Sequence, residues 1–180
     1  METIVLKFGG TSVGSTDRIS AVADLIQAAS KEAFPVVVVS AMSGETNRLI
    51  DLAQSFGSEP NKREFDALVS TGEKVSASLV AIALNHLGLK AKSLSAAQFG
   101  MKTTSHFSRA KILDMNNDIL FQTIEEGYIP IITGFQGITA DGDTTTMGRG
   151  GSDTTAVAIA ASIKAKRCDI YTDVDGIYTT

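Results

Sequence analysis

Apolar positions along the chain form two kinds of segment, short unbroken runs and longer stretches at helical spacing. Ile4 to Phe8 is a run broken only by Lys7, and it ends at Gly9-Gly10, which predicts a buried strand feeding a glycine turn. Ile19, Val22, Ala23, Ile26 and Ala29 then recur at helical intervals, with Thr16 as the expected N-cap and Pro35 as the expected stop. Val36-Val37-Val38-Val39 is β-branched without alternation, the pattern of a strand in the middle of a parallel sheet covered on both faces. Strand, helix and strand in this order make a βαβ unit, whose crossover should be right-handed.

Farther along, Asn47 to Phe56 predicts a short helix and Gly57 to Pro60 a loop. Asn61 with Glu64 three residues on resembles a capping box and starts a second helix, which Ser70-Thr71-Gly72 should interrupt. A long apolar helix follows to Gly88, placed as its C′ residue. Ala91 to Ser95 reads as a weak strand, and residues 99–109 have no clear pattern. Asn116 to Glu126 is helical, Tyr128 to Thr133 is a buried strand, and Asp141-Gly142-Asp143 marks a tight, hairpin-like turn. Gly148-Arg149-Gly150-Gly151 is a loop before a helix from about Ser152 to Lys164, and Cys168 to Thr172 is a final strand. The alternation predicts an α/β domain, a three-layer α/β/α sandwich around a mainly parallel sheet.

Composition agrees with a globular domain: 43% of residues are hydrophobic, 20% are charged and the net charge is only -4. The acidic balance, 16 Lys+Arg against 20 Asp+Glu, argues against a dedicated nucleic-acid binder. Cys168 is the one cysteine, so no intrachain disulfide can form, and no Asn-x-Ser/Thr sequon occurs. The opening residues lack a secretory pattern, and the apolar runs are short of the ~20 residues that span a bilayer. A cytoplasmic protein without membrane or nucleic-acid partners is the expectation.

Familiar phosphate motifs are missing: neither the Walker A pattern nor G-x-G-x-x-G occurs, and His86, His106 and Cys168 give no zinc spacing. Two glycine loops remain, each between a strand-like run and a helix. Lys7 beside Gly9-Gly10 can form an anion site from bared backbone N–H groups, a helix N-terminus and an ammonium. A plain strand-to-helix turn with Lys7 reaching the rim is the alternative. The second loop adds Arg149 and Asp153, and its three glycines let a ligand approach the backbone; a flexible loop with a surface arginine and a helix-start acid favoured by the dipole is the alternative.

Lys7-Phe8-Gly9-Gly10-Thr11-Ser12-Val13 resembles the opening signature of the aspartokinases, within the amino acid kinase superfamily. Val38 to Gly44 with Thr46-Asn47 looks like that family's second loop, and Ser70-Thr71-Gly72-Glu73 looks like its substrate loop. Thr133 to Gly137 and Gly148 to Asp153 are similar to two more blocks, and Thr172 to Thr180 matches the nucleotide-side signature. The blocks keep the family's order and span the chain. Aspartokinases continue past that last signature with an acidic-Pro-Arg stretch, the rest of the ATP site and usually regulatory ACT domains. The resemblance therefore implies that residues 1–180 are an incomplete amino acid kinase catalytic domain, inactive alone.

The implied reaction transfers the γ-phosphoryl of ATP to the β-carboxylate of L-aspartate. It gives 4-phospho-L-aspartate, the first step toward lysine, threonine and methionine. The resemblance assigns Lys7 to the transferred phosphoryl and Asp153 to orienting Lys7. ATP contacts fall to Lys7, Phe8, Gly9, Gly10, Ser12, Gly44, Thr172, Asp173 and Tyr178. Substrate contacts fall to Ser40, Thr46, Asn47, Glu73, Phe135, Arg149, Gly150, Gly151 and Ser152. Within that set Arg149 grips a carboxylate with its planar fork and Glu73 pairs with the α-ammonium. Glu73 as a solvated helix-start residue and Tyr178 as a core aromatic stay open alternatives. No protein metal ligand is expected, since Mg2+ rides mainly on the nucleotide phosphates. A homo-oligomer is expected for the complete protein. A kinase for acetylglutamate or glutamate is a rival of the same fold, disfavoured by Thr11-Ser12-Val13. A non-catalytic amino-acid or nucleotide sensor is the rival of a different class.

Overall fold

The structure is a computed structural model and describes residues 2–173; Tyr178, expected at the nucleotide, lies outside the described residues. In chain order the elements are β1 (Thr3–Phe8), α1 (Thr16–Ala29), β2 (Phe34–Val39), α2 (Glu45–Gln54), α3 (Lys62–Val69), α4 (Thr71–His86), β3 (Ala91–Leu94), α5 (Ala96–Phe99), β4 (Met101–Thr103), β5 (Ile112–Met115), α6 (Asp118–Glu125), β6 (Ile129–Thr133), β7 (Gln136–Ile138), β8 (Thr144–Thr146), α7 (Gly151–Ser162) and β9 (Cys168–Tyr171). A five-stranded sheet runs β3-β6-β2-β1-β9, and every pairing in it is parallel.

Strand parity explains the layers. On β1, Ile4, Leu6 and Phe8 face one side, where Ile19, Val22 and Ile26 of α1 and Val80 and Leu84 of α4 cover them. Val5, with Val36 and Val38 of β2, faces the other, under Leu120 of α6 and Ala156 and Ile159 of α7. Both faces of the valine run are fully buried, as its lack of alternation requires. Each such side chain contributes ~1.5–3 kcal/mol by leaving water, so the sheet is held from both sides. The α/β/α sandwich expected from the sequence is the observed fold.

Local chemistry moves some boundaries. The N-cap of α1 is Ser15, not Thr16: Ser15 is extended and its side chain accepts the Arg18 N–H at 3.3 Å, whereas Thr16 is already helical. Pro35 does not stop α1, which ends at Ala29; it is the second residue of β2. The Phe34 N–H already bonds toward β1 (Glu2 O, 2.9 Å), so the N–H that Pro35 lacks would face β6, where the ladder starts only at Val37. Ser70-Thr71-Gly72 barely interrupts the helix, because Ser70 keeps right-handed helical angles and its N–H bonds Asp66 O. Gly88 closes α4 as expected, with φ 81° and the Leu89 N–H on Leu84 O. The run Lys62–His86 is long and apolar enough to cross a membrane by length and composition, yet half of its most apolar window is buried within this fold. The face from Leu79 to Leu87 is divided: Val80, Ala81 and Leu84 are core, and Ile82 and Leu87 stay exposed.

Residues 99–115 hold more structure than their sequence pattern suggested. A second sheet of order β5-β4-β7-β8 includes the hairpin whose turn carries Gly142 at φ 87°. Its strands have three or four residues, too few to establish a period. This small sheet lies against α3 and walls one side of the site described below.

Candidate active site

The C-terminal ends of β1, β2 and β6 open into a cleft of about 670 Å³, where ligands bind in parallel α/β sheets. Four loops converge there: Gly9–Ser12 after β1, Ser40–Gly44 after β2, Gly134-Phe135 after β6 and Gly148–Gly150 before α7. The first two touch backbone to backbone. The Ser43 N–H donates to Gly10 O at 3.0 Å, and a Cβ at Gly10 would stand 2.8 Å from the Ala41 carbonyl oxygen. Only glycine allows that approach.

Lys7 points to the α7 side of the sheet by the same parity as Val5. It is 8% exposed, and its Nζ lies 2.7 Å from Asp153 Oδ1 in the first turn of α7. The contact is an ion pair at short distance without hydrogen-bond alignment, so the ammonium keeps donors for another anion. Gly150, at φ 76°, is the N-cap of α7 and has no side chain to occupy the helix's first N–H groups. A positive helix end and a nearly buried ammonium thus share one end of the cleft.

The same cleft is lined by a buried carboxyl. Glu73, in the first turn of α4, is 3% exposed. Its Oε1 accepts the Ala41 N–H at 3.1 Å, while its buried Oε2 has no hydrogen-bond partner among the described residues. Burial pushes its carboxyl up to about 7, against the lowering pull of its own N–H and that of Ala41. An acid held this way is stabilised by any cation that enters the cleft. Arg149 is exposed and has no ion pair among the described residues, so its guanidinium is available to a carboxylate. Phe135 adopts φ 69°, unusual for a bulky residue, and its N–H and C=O are both engaged, by Thr155 Oγ1 at 3.2 Å and the Met147 N–H at 2.8 Å.

Most residues proposed from the sequence meet in this cleft. Lys7, Gly10, Ser40, Gly44, Thr46, Asn47, Glu73, Phe135, Arg149, Gly150, Gly151, Ser152 and Asp153 all line it. The solvated alternative for Glu73 is excluded by its burial. Phe8 contributes no side chain, because its ring is fully buried on the opposite face, stacked on Tyr171 at 4.6 Å. Ser12 lies in the first loop outside the cleft lining, with its N–H on Gly9 O. Thr172 and Asp173 are exposed at the end of β9, beside β1 and outside the cleft. Sequence reading overlooked Phe65, Ser108, Thr146 and Met147 in the lining, and Asp66 behind them. The available signal was an acid, Asp66, set between Phe65 and the apolar stretch Ala67-Leu68-Val69.

Known proteins resemble this chain over nearly its whole length. An aspartokinase from Geobacillus stearothermophilus is 50% identical over 100% of this chain, which spans 44% of that relative. The aspartokinase of Helicobacter pylori is 49% identical over 98% of the chain, again 44% of the relative. The chain thus covers less than half the length of these curated relatives. Among solved structures, E. coli aspartokinase III in complex with aspartate and ADP superposes with a TM-score of 0.90 at 30% identity, covering 99% of this chain and 51% of that one. Aspartate kinase from Synechocystis gives 0.83 at 46% identity, covering 97% and 29%. The family description "Amino acid kinase family" matches residues 2–180. With the parallel sheet, the paired glycine loops and a lysine–aspartate pair at the strand ends, this match over nearly every residue means that the chain belongs to the amino acid kinase family.

Proposed function

We propose that this chain is the substrate-binding and phosphate-side part of an aspartate kinase, which transfers the γ-phosphoryl of MgATP to the β-carboxylate of L-aspartate. One observation carries the reading. A single cleft holds a buried, half-unpartnered carboxylate and an accessible guanidinium, suited to an amino acid's ammonium and carboxylate, together with a nearly buried lysine. The relatives named above are aspartokinases, and the E. coli structure was solved with aspartate and ADP.

A carboxylate is already a nucleophile, so this chemistry needs no strong base. The difficulty is to bring two anions together, and catalysis is positioning plus charge neutralisation. Arg149 grips the α-carboxylate and Glu73 the α-ammonium, leaving the β-carboxylate to face the phosphates. Ser40, Thr46, Asn47, Phe135 and Ser152 complete the pocket. Lys7 stabilises charge spreading over the equatorial phosphoryl oxygens, and Asp153 holds Lys7 at that place. The N–H groups at Gly10 and Gly44 and the open N-terminus of α7 add donors for phosphate, whereas the Gly9 N–H is taken by the Tyr171 carbonyl at 3.3 Å. Thr172 and Asp173 extend toward the nucleotide from the neighbouring strand end. Mg2+ arrives on ATP, and the second Asp153 oxygen can accept a hydrogen bond from a magnesium-bound water. Action in the cytoplasm, on the route to lysine, threonine and methionine, and a homo-oligomeric state belong to the same proposal.

The test is steady-state kinetics of the full-length protein with aspartate and MgATP. Lys7→Ala should lower kcat by roughly 10²–10³-fold, about 3–4 kcal/mol, with a much smaller rise in the KM for aspartate. A kcat near that of the parent would remove Lys7 from the mechanism. A parent that releases no ADP in response to aspartate would refute the assigned substrate.

A further inference from the structure

Behind the cleft, one fully buried acid has every acceptor in use. Asp66, on α3, is 0% exposed. Its Oδ2 accepts the N–H of Ser108 at 2.8 Å and of Thr146 at 2.7 Å. Its Oδ1 accepts the hydroxyls of the same two residues, each at 2.9 Å. A carboxylate engaged by four donors joins three pieces of chain that lie far apart in sequence: α3, the loop at Ser108 and the end of β8.

This clamp is the middle of a longer seam. Arg63, Asp66 and Ser70 are spaced i, i+3 and i+7 and so share one face of the helix. Arg63 pairs with Asp143 at the hairpin turn, at 2.7 Å. The Ser70 carbonyl accepts from Gln136 Nε2 at 3.0 Å, at the start of β7 opposite Thr146. The Arg63 pair is exposed and contributes little, whereas the two inner ties are buried. The hairpin is therefore docked along α3 through polar contacts with one satisfied arrangement.

Both sides of the seam, the hairpin and the helix, lead to substrate-reading groups. Three residues after Thr146 comes Arg149, and three after Ser70 comes Glu73. Ser108 itself lines the cleft and holds φ 65°, a conformation that a non-glycine residue keeps only when its surroundings enforce it. Asp66 supplies that enforcement through the N–H and the hydroxyl of Ser108.

We propose that Asp66 is a positioning residue that fixes the Arg149 loop and the Ser108 loop relative to Glu73, and so sets the fit of the cleft to its amino-acid substrate. The inference rests on the proposed aspartate kinase reading. Asp66→Asn is nearly isosteric but turns an NH2 toward groups that are themselves donors. In the full-length protein it should raise the KM for aspartate on the order of tenfold, leave kcat within about threefold and leave the KM for MgATP within about twofold. Hydrogen–deuterium exchange should quicken at residues 104–111 and 144–151, with β1 and β2 unaffected. Thr146→Val removes one hydroxyl bond only and should move both readouts the same way by less, which keeps the test open if Asp66→Asn does not fold. Proportional loss toward both substrates, or faster exchange throughout the chain, would reduce Asp66 to general stability and overturn the proposal. Local exchange changes without any shift in the KM for aspartate would also overturn it. Unchanged exchange at Ser108 and Thr146 would show that the clamp is not formed. If the parent protein lacks aspartate-dependent turnover, the proposed function fails, while the exchange experiment still decides whether Asp66 holds the loops.

Discussion

Glu73 allows a test of the site that needs no turnover. Its carboxyl is buried, with one oxygen on the Ala41 N–H and the other without a hydrogen-bond partner among the described residues. Burial raises it from its ordinary 4.5 to about 7. Between those values the folded protein keeps a proton on Glu73 that the unfolded chain has lost. Folding then binds the extra proton, so stability falls as pH rises through this window, and the loss is complete above about 7. At ~1.36 kcal/mol for each decade, the gap amounts to about 3 kcal/mol. Glu73→Gln keeps the shape and an acceptor for Ala41 but cannot ionise. Its stability relative to the parent should be close to level below pH 4.5 and should improve toward about 3 kcal/mol at pH 8, a difference of roughly 6–12 °C in Tm for a domain of this size. All other titrating groups are shared, so they cancel in the comparison. The measurement is a set of thermal melts of both proteins from pH 4.5 to 8. Added aspartate should narrow the gap, because an ammonium beside Oε2 favours the charged form in the parent alone. A stability difference that stays flat across this range would refute the buried, unpartnered carboxyl. Aspartate protection of the Gln variant equal to that of the parent would refute its pairing with the substrate ammonium.

Two further outcomes follow from the geometry. Arg149→Lys keeps the charge but loses the planar fork, so calorimetric titration of the full-length protein should show aspartate binding weakened by about 1.5–3 kcal/mol and ATP binding nearly unchanged; equal losses would assign Arg149 to the phosphates. Gly10→Ala places a Cβ 2.8 Å from the Ala41 carbonyl oxygen, so separating the first two loops should cost about 1–3 kcal/mol in denaturant melts and weaken nucleotide binding; unaltered melts would show that the loops yield freely.

The sequence alone determined the large sheet. Val36 to Val39 could be read because both faces of β2 are buried, and a run without alternation has few other homes. Lys7 could be read as a site residue through the resemblance of the Lys7–Val13 segment to a family signature, because the loop alone fits a plain strand-to-helix turn with Lys7 at its rim as well. The loops were also legible as blocks, since Gly10 meets a backbone contact that tolerates no Cβ and Gly44 and Gly150 take the positive φ that favours glycine. What stayed hidden depended on partners distant in sequence. The strands of the small sheet are too short for periodicity and exist because β4, β5, β7 and β8 pair with one another. Phe8 belongs to the core because strand parity turns its ring away from the cleft, which its place in a glycine motif does not reveal. Glu73 looks like an ordinary helix-start acid until Ala41 and the loop after β2 close over it. Asp66 acquires its meaning only from Ser108 and Thr146, 42 and 80 residues away, whose four donors make a buried charge tolerable. Local pattern sets which elements form, because propensity and burial act on neighbouring residues. Only the tertiary arrangement could decide which charges are paired and which are left open to a ligand, because that depends on partners that the fold brings together.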